Sequence, residues 1–346
     1  MLSQKEISQL KDALEHCKRP IYFFHDDPDG LASFLLLYRK IREGKGYCVK
    51  AFPHITADFA RKVEEYGADS VFVLDIAMVD QEFIDGIKVP VYWIDHHTPV
   101  QRENVKYFNP RKTGKNTPAS VLCWQVVEKE QPSDLWIAIT GAIGDWFMPD
   151  QAKELQEKMP EFLPPEIKDA QEALFNSPLG RMVKIFSFNL KGPTSEVNKS
   201  IRIMTRIEHP DEILKQTTPR GRLIFKKYAS INKVYERMLK KISGKRTRGG
   251  ILVHTYSHDK LSLTKDLANE LLYKFRDKVI VLGRIKSGEI RCSLRAPAGI
   301  QLDKALEKAL IGVQGYGGGH EQACGAGIKQ EDFERFIENL KRELSF

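Results

Sequence analysis

The chain has 346 residues, 42% of them apolar and 29% charged, with a formal net charge of +8. No stretch approaches the roughly eighteen uncharged apolar residues of a membrane span. Cys17, Cys48, Cys123, Cys292 and Cys324 are scattered without a C-x-x-C pair, which argues against a disulfide framework or a thiolate zinc site. They are expected as small buried hydrophobes in a reducing cytoplasm, and a chain this long is expected to form two domains.

The first residues are charged and amphipathic, with Ser3 and Glu6 spaced as a helix capping box instead of a signal core. From residue 21 to 108, short apolar runs alternate with amphipathic stretches: IYFF, LASFLLLYRKI, YCVKAF, VFVLDIAMV, VPVYWID and VKYF. That alternation predicts a parallel sheet with crossover helices. Helical patterns at 117–128 and 134–146 follow without a turn-rich gap and belong to the same domain, placed at 1–180.

Residues 181–249 read as a basic helical connector. Between 181 and 250 there are eighteen Lys and Arg against five Asp and Glu, which leaves the rest of the chain acidic. Clustered positive charge suits a polyanion such as nucleic acid, although it also describes a solvated helix face. Phe186, Phe188, Phe225, Tyr228 and Tyr235 are interleaved there and could either stack bases or fill a core. Residues 250–346 predict a smaller α/β domain, with strands ILVHTYS, KVIVLGRI and EIRCSLR and helices around LANELLYKF and EDFERFIENLKREL.

The chemistry concentrates in the first domain. The run IYFFHDDPDG carries His25, Asp27 and Asp29 at alternate positions, which in an extended segment share one face while Asp26 points elsewhere. Crowded carboxylates repel and titrate upward unless a cation lies among them. VFVLD closes on Asp75 and VYWIDHH on Asp95, His96 and His97, all at strand carboxyl ends, where open α/β sheets bind ligands. In AITGAIGDW, Gly141 and Gly144 permit close approach ahead of Asp145. Each feature has a plainer use, such as a helix cap at Asp27 or Asp75. Together His25, Asp27, Asp29, Asp75, His96 and Asp145 suffice for two divalent cations sharing a bridging carboxylate. Imidazole and carboxylate without thiolate favour manganese or magnesium, with cobalt or zinc also accommodated. Two such ions suit phosphoester hydrolysis.

The motifs H-x-D-x-D-G, a strand-terminal D, D-H-H and G-x-x-G-D resemble those of the DHH phosphoesterase superfamily. The resemblance implies that His25, Asp27 and Asp75 hold one metal and that Asp29, Asp75, His96 and Asp145 hold the other. It places His97 against the scissile phosphate, with Asp95 as the supporting acid that orients both following imidazoles. Ser293-Leu294-Arg295 and Gly317-Gly318-Gly319-His320 look like a substrate-binding DHHA1 domain, whose glycines expose backbone N–H groups in a loop. Arg291 is a further companion or a solvent-facing residue. The chain is most similar to archaeal RecJ-like proteins, which implies a manganese-dependent exonuclease or oligoribonuclease acting on single-stranded DNA, RNA or oligonucleotides. A phosphoesterase for dinucleotides or adenosine 3′,5′-bisphosphate is the alternative. The family also contains replisome partners of the GINS complex that have lost activity, and the six filled ligand positions argue against that role alone.

Overall fold

The computed structural model describes residues 1–50, 54–244, 249–257 and 261–345. The end of the expected YCVKAF strand, 51–52, and the basic run 245–248 lie outside the described residues. The chain divides into two compact units, Met1–Ala229 and Ser230–Phe346.

The first unit opens with α1 (Gln4–His16), where Ser3 Oγ accepts from Glu6 N and Ser3 N donates to Glu6 Oε2 at 2.7 Å, the expected capping box. Its strands are β1 (Pro20–His25), β2 (Lys45–Val49), β3 (His54–Ile55), β4 (Ser70–Leu74), β5 (Met78–Val79), β6 (Val91–Ile94) and β7 (Lys106–Phe108). Five of them form one parallel sheet in the order β2-β1-β4-β6-β7. The continuous apolar runs reflect burial of both faces. On one face Tyr22, Phe72 and Tyr92 stack across β1, β4 and β6 beneath α2 (Pro28–Ile41), whose Phe34 packs on Tyr22 and Phe24. The other face meets α3 (Ala60–Tyr66) and α4 (Gln81–Asp85), with Phe23 edge-on to Phe83.

Two buried helices, α5 (Ala119–Val127) and α6 (Leu135–Gly144), pack on α2. A Cβ at Gly141 would sit 2.6 Å from Ser120 Oγ, and one at Gly144 2.8 Å from Pro28 Cβ, so these glycines set the close approach of α6. Then come α7 (Ala152–Lys158), α8 (Ala170–Asn176), α9 (Pro178–Asn189), α10 (Thr194–Met204), α11 (Asp211–Leu214) and α12 (Pro219–Ser243).

The stretch 181–249 expected as a connector is shared between the two units, whose division falls inside α12. Its aromatic residues explain why. Phe186 meets Trp136 of α6 edge-on, Phe188 stacks on Tyr228, and both phenylalanines, Tyr228 and Tyr235 are buried. These four rings fill cores and are not available to stack bases. Along α12, Ile224, Tyr228, Ile231, Tyr235, Leu239 and Ile242 form the buried stripe, while Arg222, Lys226, Lys233, Arg237 and Lys240 are exposed.

The second unit has β8 (Ile251–Ser257), β9 (Val279–Lys286), β10 (Glu289–Arg295), β11 (Gly315–His320) and β12 (Ala323–Lys329) in the order β11-β12-β10-β9-β8, with only β8 and β9 parallel. One face packs on α14 (Leu302–Ala309) and α15 (Phe333–Glu343), and α13 (Thr264–Lys274) packs on β9 and β10. Among the described residues no helix is long and apolar enough to cross a membrane.

Candidate active site

Three strand ends converge in the first unit. His25 is the last residue of β1, and Asp75 and Asp95 directly follow β4 and β6. Asp27 caps α2, its Oδ1 accepting from Gly30 N at 3.0 Å, while Oδ2 lies 2.9 Å from His25 Nδ1. One carboxylate thus serves as both cap and candidate ligand. The same His25 nitrogen stands 3.3 Å from Asp75 Oδ2. Asp26 is not fully diverted, since it lies 3.6 Å from the other ring nitrogen of His25.

On the far side of Asp75, His96 Nε2 is 3.3 Å from Asp75 Oδ1 and 3.0 Å from Asp145 Oδ2. Asp145 terminates α6 and follows a helix, unlike the strand-end residues. Fully buried Asp29 completes this side, and its oxygens accept from Ala119 N at 2.7 Å, Ser120 N at 3.0 Å and Ser120 Oγ. Asp75, 1% exposed with φ +55°, belongs to both groups. Aspartate tolerates that left-handed backbone better than a branched side chain would.

The electrostatics are those of a site built for a cation. Burial and then the charges of Asp75 and Asp145 push the Asp29 carboxyl well above the usual range. Burial and the Asp27 charge raise Asp75 as well. Burial opposes charge on His25 and His96, but facing carboxylates, Asp27 for the first and Asp145 for the second, raise both imidazoles. Two buried atoms, Asp75 Oδ1 and His96 Nε2, have no hydrogen bond among the described residues. Unsatisfied buried acceptors aimed at shared space are costly in a dry site and suit metal coordination. The ligand atoms of His25, Asp27 and Asp75 lie within 4.8 Å of one another, as do those of Asp29, Asp75, His96 and Asp145.

In the second unit, Ser293 and Arg295 lie on β10 and Gly317, Gly318, Gly319 and His320 on β11. The glycines form an edge strand instead of the expected loop. A Cβ at Gly317 would come 2.9 Å from Gly325 O, so side chains there would obstruct pairing with β12. Cross-strand register puts Ser293, Gly325 and Gly318 in one row and Arg295, Ala323 and His320 in the next, all on one face. Arg295 is held by Asn269 Oδ1 at 2.6 Å, and burial lowers its pKa to about 10.

Residues 257–345 match the DHHA1 domain model. Comparison with solved structures gives RecJ of Thermus thermophilus in complex with Mn2+ at TM-score 0.68 and 16% identity, covering 99% of this chain and 54% of that one. An exonuclease RecJ bound to manganese matches at TM-score 0.64 and 17% identity, with 99% and 94% covered. The DHH domain of a member of the s1p family of ribosomal proteins matches at 0.63 and 15%, with 98% and 89% covered. Residues 257–345 thus form a DHHA1 domain, and the chain as a whole has the fold of the RecJ structures. It spans about half the length of the Thermus RecJ. No curated protein sequence matched it.

In the first unit, Asp95 supports His97 and not both histidines. It accepts from His97 N at 3.0 Å, His97 Nδ1 at 2.7 Å, Tyr107 Oη at 3.1 Å and Asn109 Nδ2 at 3.3 Å. Burial opposes protonation of His97, and the Asp95 hydrogen bond outweighs it, raising the imidazole. His96 is steadied from elsewhere, through Nδ1 against Asn116 Oδ1 at 3.1 Å. Asn116 and Ser120 were not identified from the sequence. Their signal is the small polar run Asn116-Thr117-Pro118-Ala119-Ser120 just ahead of an apolar helix.

Proposed function

We propose that this protein is a two-metal phosphodiesterase that hydrolyses single-stranded nucleic acid or short oligonucleotides from an end. The observation that carries the reading is Asp75, buried between two groups of ligand atoms and shared by both. His25, Asp27 and Asp75 would hold one divalent cation, and Asp29, Asp75, His96 and Asp145 the other. Manganese is the first choice, supported by the manganese in both RecJ structures, with magnesium or cobalt as alternatives. When bound, the pair would supply the positive charge that in-line displacement at phosphorus demands.

The chain's own residues do the rest. Asn116 fixes the His96 ring so that Nε2 points at Asp75 and Asp145. Asp95 holds His97 Nδ1, which leaves Nε2 to meet a phosphoryl oxygen. In the second unit, Arg295, Ser293, His320 and the backbone of Gly317, Gly318 and Gly319 would bind phosphate oxygens of the substrate. The exposed basic face of α12 supports a strand as substrate, since a dinucleotide needs no charged track.

End-labelled single-stranded DNA, RNA and dinucleotides incubated with manganese would test this directly. Progressive shortening of one of the polymers is expected. Turnover of dinucleotides alone would remove the polymer reading, and turnover of none would remove the enzyme.

A further inference from the structure

The register of the second unit's sheet continues one row past Ser293. Tyr256 on β8, Arg284 on β9, Arg291 on β10, Gly327 on β12 and Tyr316 on β11 are direct cross-strand partners, in the same alternation as the Ser293 row. They therefore share its face.

Two features of this row call for an anion. Arg284 and Arg291 stand directly opposite each other, and like charges so placed destabilise a sheet. Arg291 is partly offset by Glu289, whose carboxylate accepts from its Nε at 2.8 Å. Glu289 is itself flanked in register by Lys286 and Lys329, so the strands beside it add further positive charge. Arg284 is only 9% exposed, and its Nε is shielded from water without a hydrogen bond among the described residues. A buried guanidinium donor left unmet is unfavourable, and a phosphate oxygen would satisfy it.

The row ends in an aromatic platform. A Cβ at Gly327 would sit 2.5 Å from Tyr316 Cζ, so glycine is what lets this ring lie against the strand, and Tyr316 remains 62% exposed. An exposed ring beside a cation pair suits a nucleobase next to its phosphate. Rows two residues apart are about 6.8 Å from each other, of the order of the step between phosphates in an extended single strand.

We propose that Arg284, with Arg291 and Tyr316, forms a second nucleotide subsite that takes the phosphate neighbouring the one bound at Ser293 and Arg295. This rests on the nucleic-acid reading above and makes the sheet face a ruler for oligonucleotides longer than a dinucleotide.

The test is binding of a fluorescent dinucleotide and tetranucleotide to the full chain in chelator, where hydrolysis is blocked. Wild type should prefer the tetranucleotide at least about tenfold. Arg284→Gln should reduce that preference to about twofold and lower the slope of log K against log salt by about 0.7, the signature of one lost single-strand phosphate contact. Preference and slope unchanged in a folded Arg284→Gln protein would overturn the subsite and leave the phosphodiesterase reading standing. Wild type binding neither oligonucleotide would overturn both. Should Arg284→Gln melt below the assay temperature, Tyr316→Ala at its exposed position decides, with about a threefold loss of preference expected and no loss overturning the proposal.

Discussion

Buried His96 Nε2 lies 3.0 Å from Asp145 Oδ2 without the angle of a hydrogen bond. The two atoms face a common point from a strand end and a helix end. That arrangement is what a shared cation requires and what a structural ion pair does not. Asp75→Asn removes the carboxylate common to both ligand groups, and the amide retains tolerance of the left-handed backbone. Cation-dependent hydrolysis should fall by on the order of 10³. Because burial and Asp27 disfavour the ionised form of Asp75, the metal-free variant should melt no lower than wild type. Calorimetry beside the activity assay checks both.

Asn116→Ala leaves all six candidate ligands in place and removes the partner of His96 Nδ1. Metal affinity should drop about 10- to 100-fold, read by titration with manganese. An unchanged affinity would mean that the ring is held by its other neighbours.

Gly144→Ala tests whether the position of Asp145 depends on helix packing. The new Cβ would press on Pro28, at the start of α2, and push α6 outward. A stability loss of about 1 to 3 kcal/mol is expected together with weaker metal binding, whereas loss of stability alone would separate Asp145 from the packing.

Acid stability has a separate origin. Glu212 is buried, which raises its carboxyl, but donors from Arg220, Thr218 and the Glu208 N–H outweigh burial and hold it at about 2, against an ordinary 4.5. A depressed folded-state pKa contributes stability that is complete above about pH 4.5 and lost as pH falls towards 2. Glu212→Gln should flatten denaturant-unfolding free energies across that window. The effect should be on the order of 1 kcal/mol, because Arg220 is solvent-screened.

The parallel sheet is legible because fully buried strands such as IYFF and VFVL are continuous apolar runs closed by polar residues, and both signals are local. The same locality marked His25, Asp27, Asp75 and His96. Asn116 and Ser120 escaped because their partners, His96 and Asp29, are distant in sequence and come together only through tertiary packing of α5. The stretch 181–249 reads as a basic helical connector because its exposed charge is local, whereas the packing of Phe186, Phe188 and Tyr228, which ties its first part to the first unit, depends on distant partners such as Trp136. The glycine strand β11 reads as a loop in sequence because three successive glycines carry no β-propensity, and its pairing depends on glycines across on β12.

Two cations on one shared carboxylate should be directly countable. Manganese stoichiometry by equilibrium dialysis, run on wild type and Asp75→Asn, measures this most directly. Two tightly held ions per wild-type chain are expected, with loss of both from the variant. A single ion in wild type, or two retained after Asp75→Asn, would contradict the shared carboxylate.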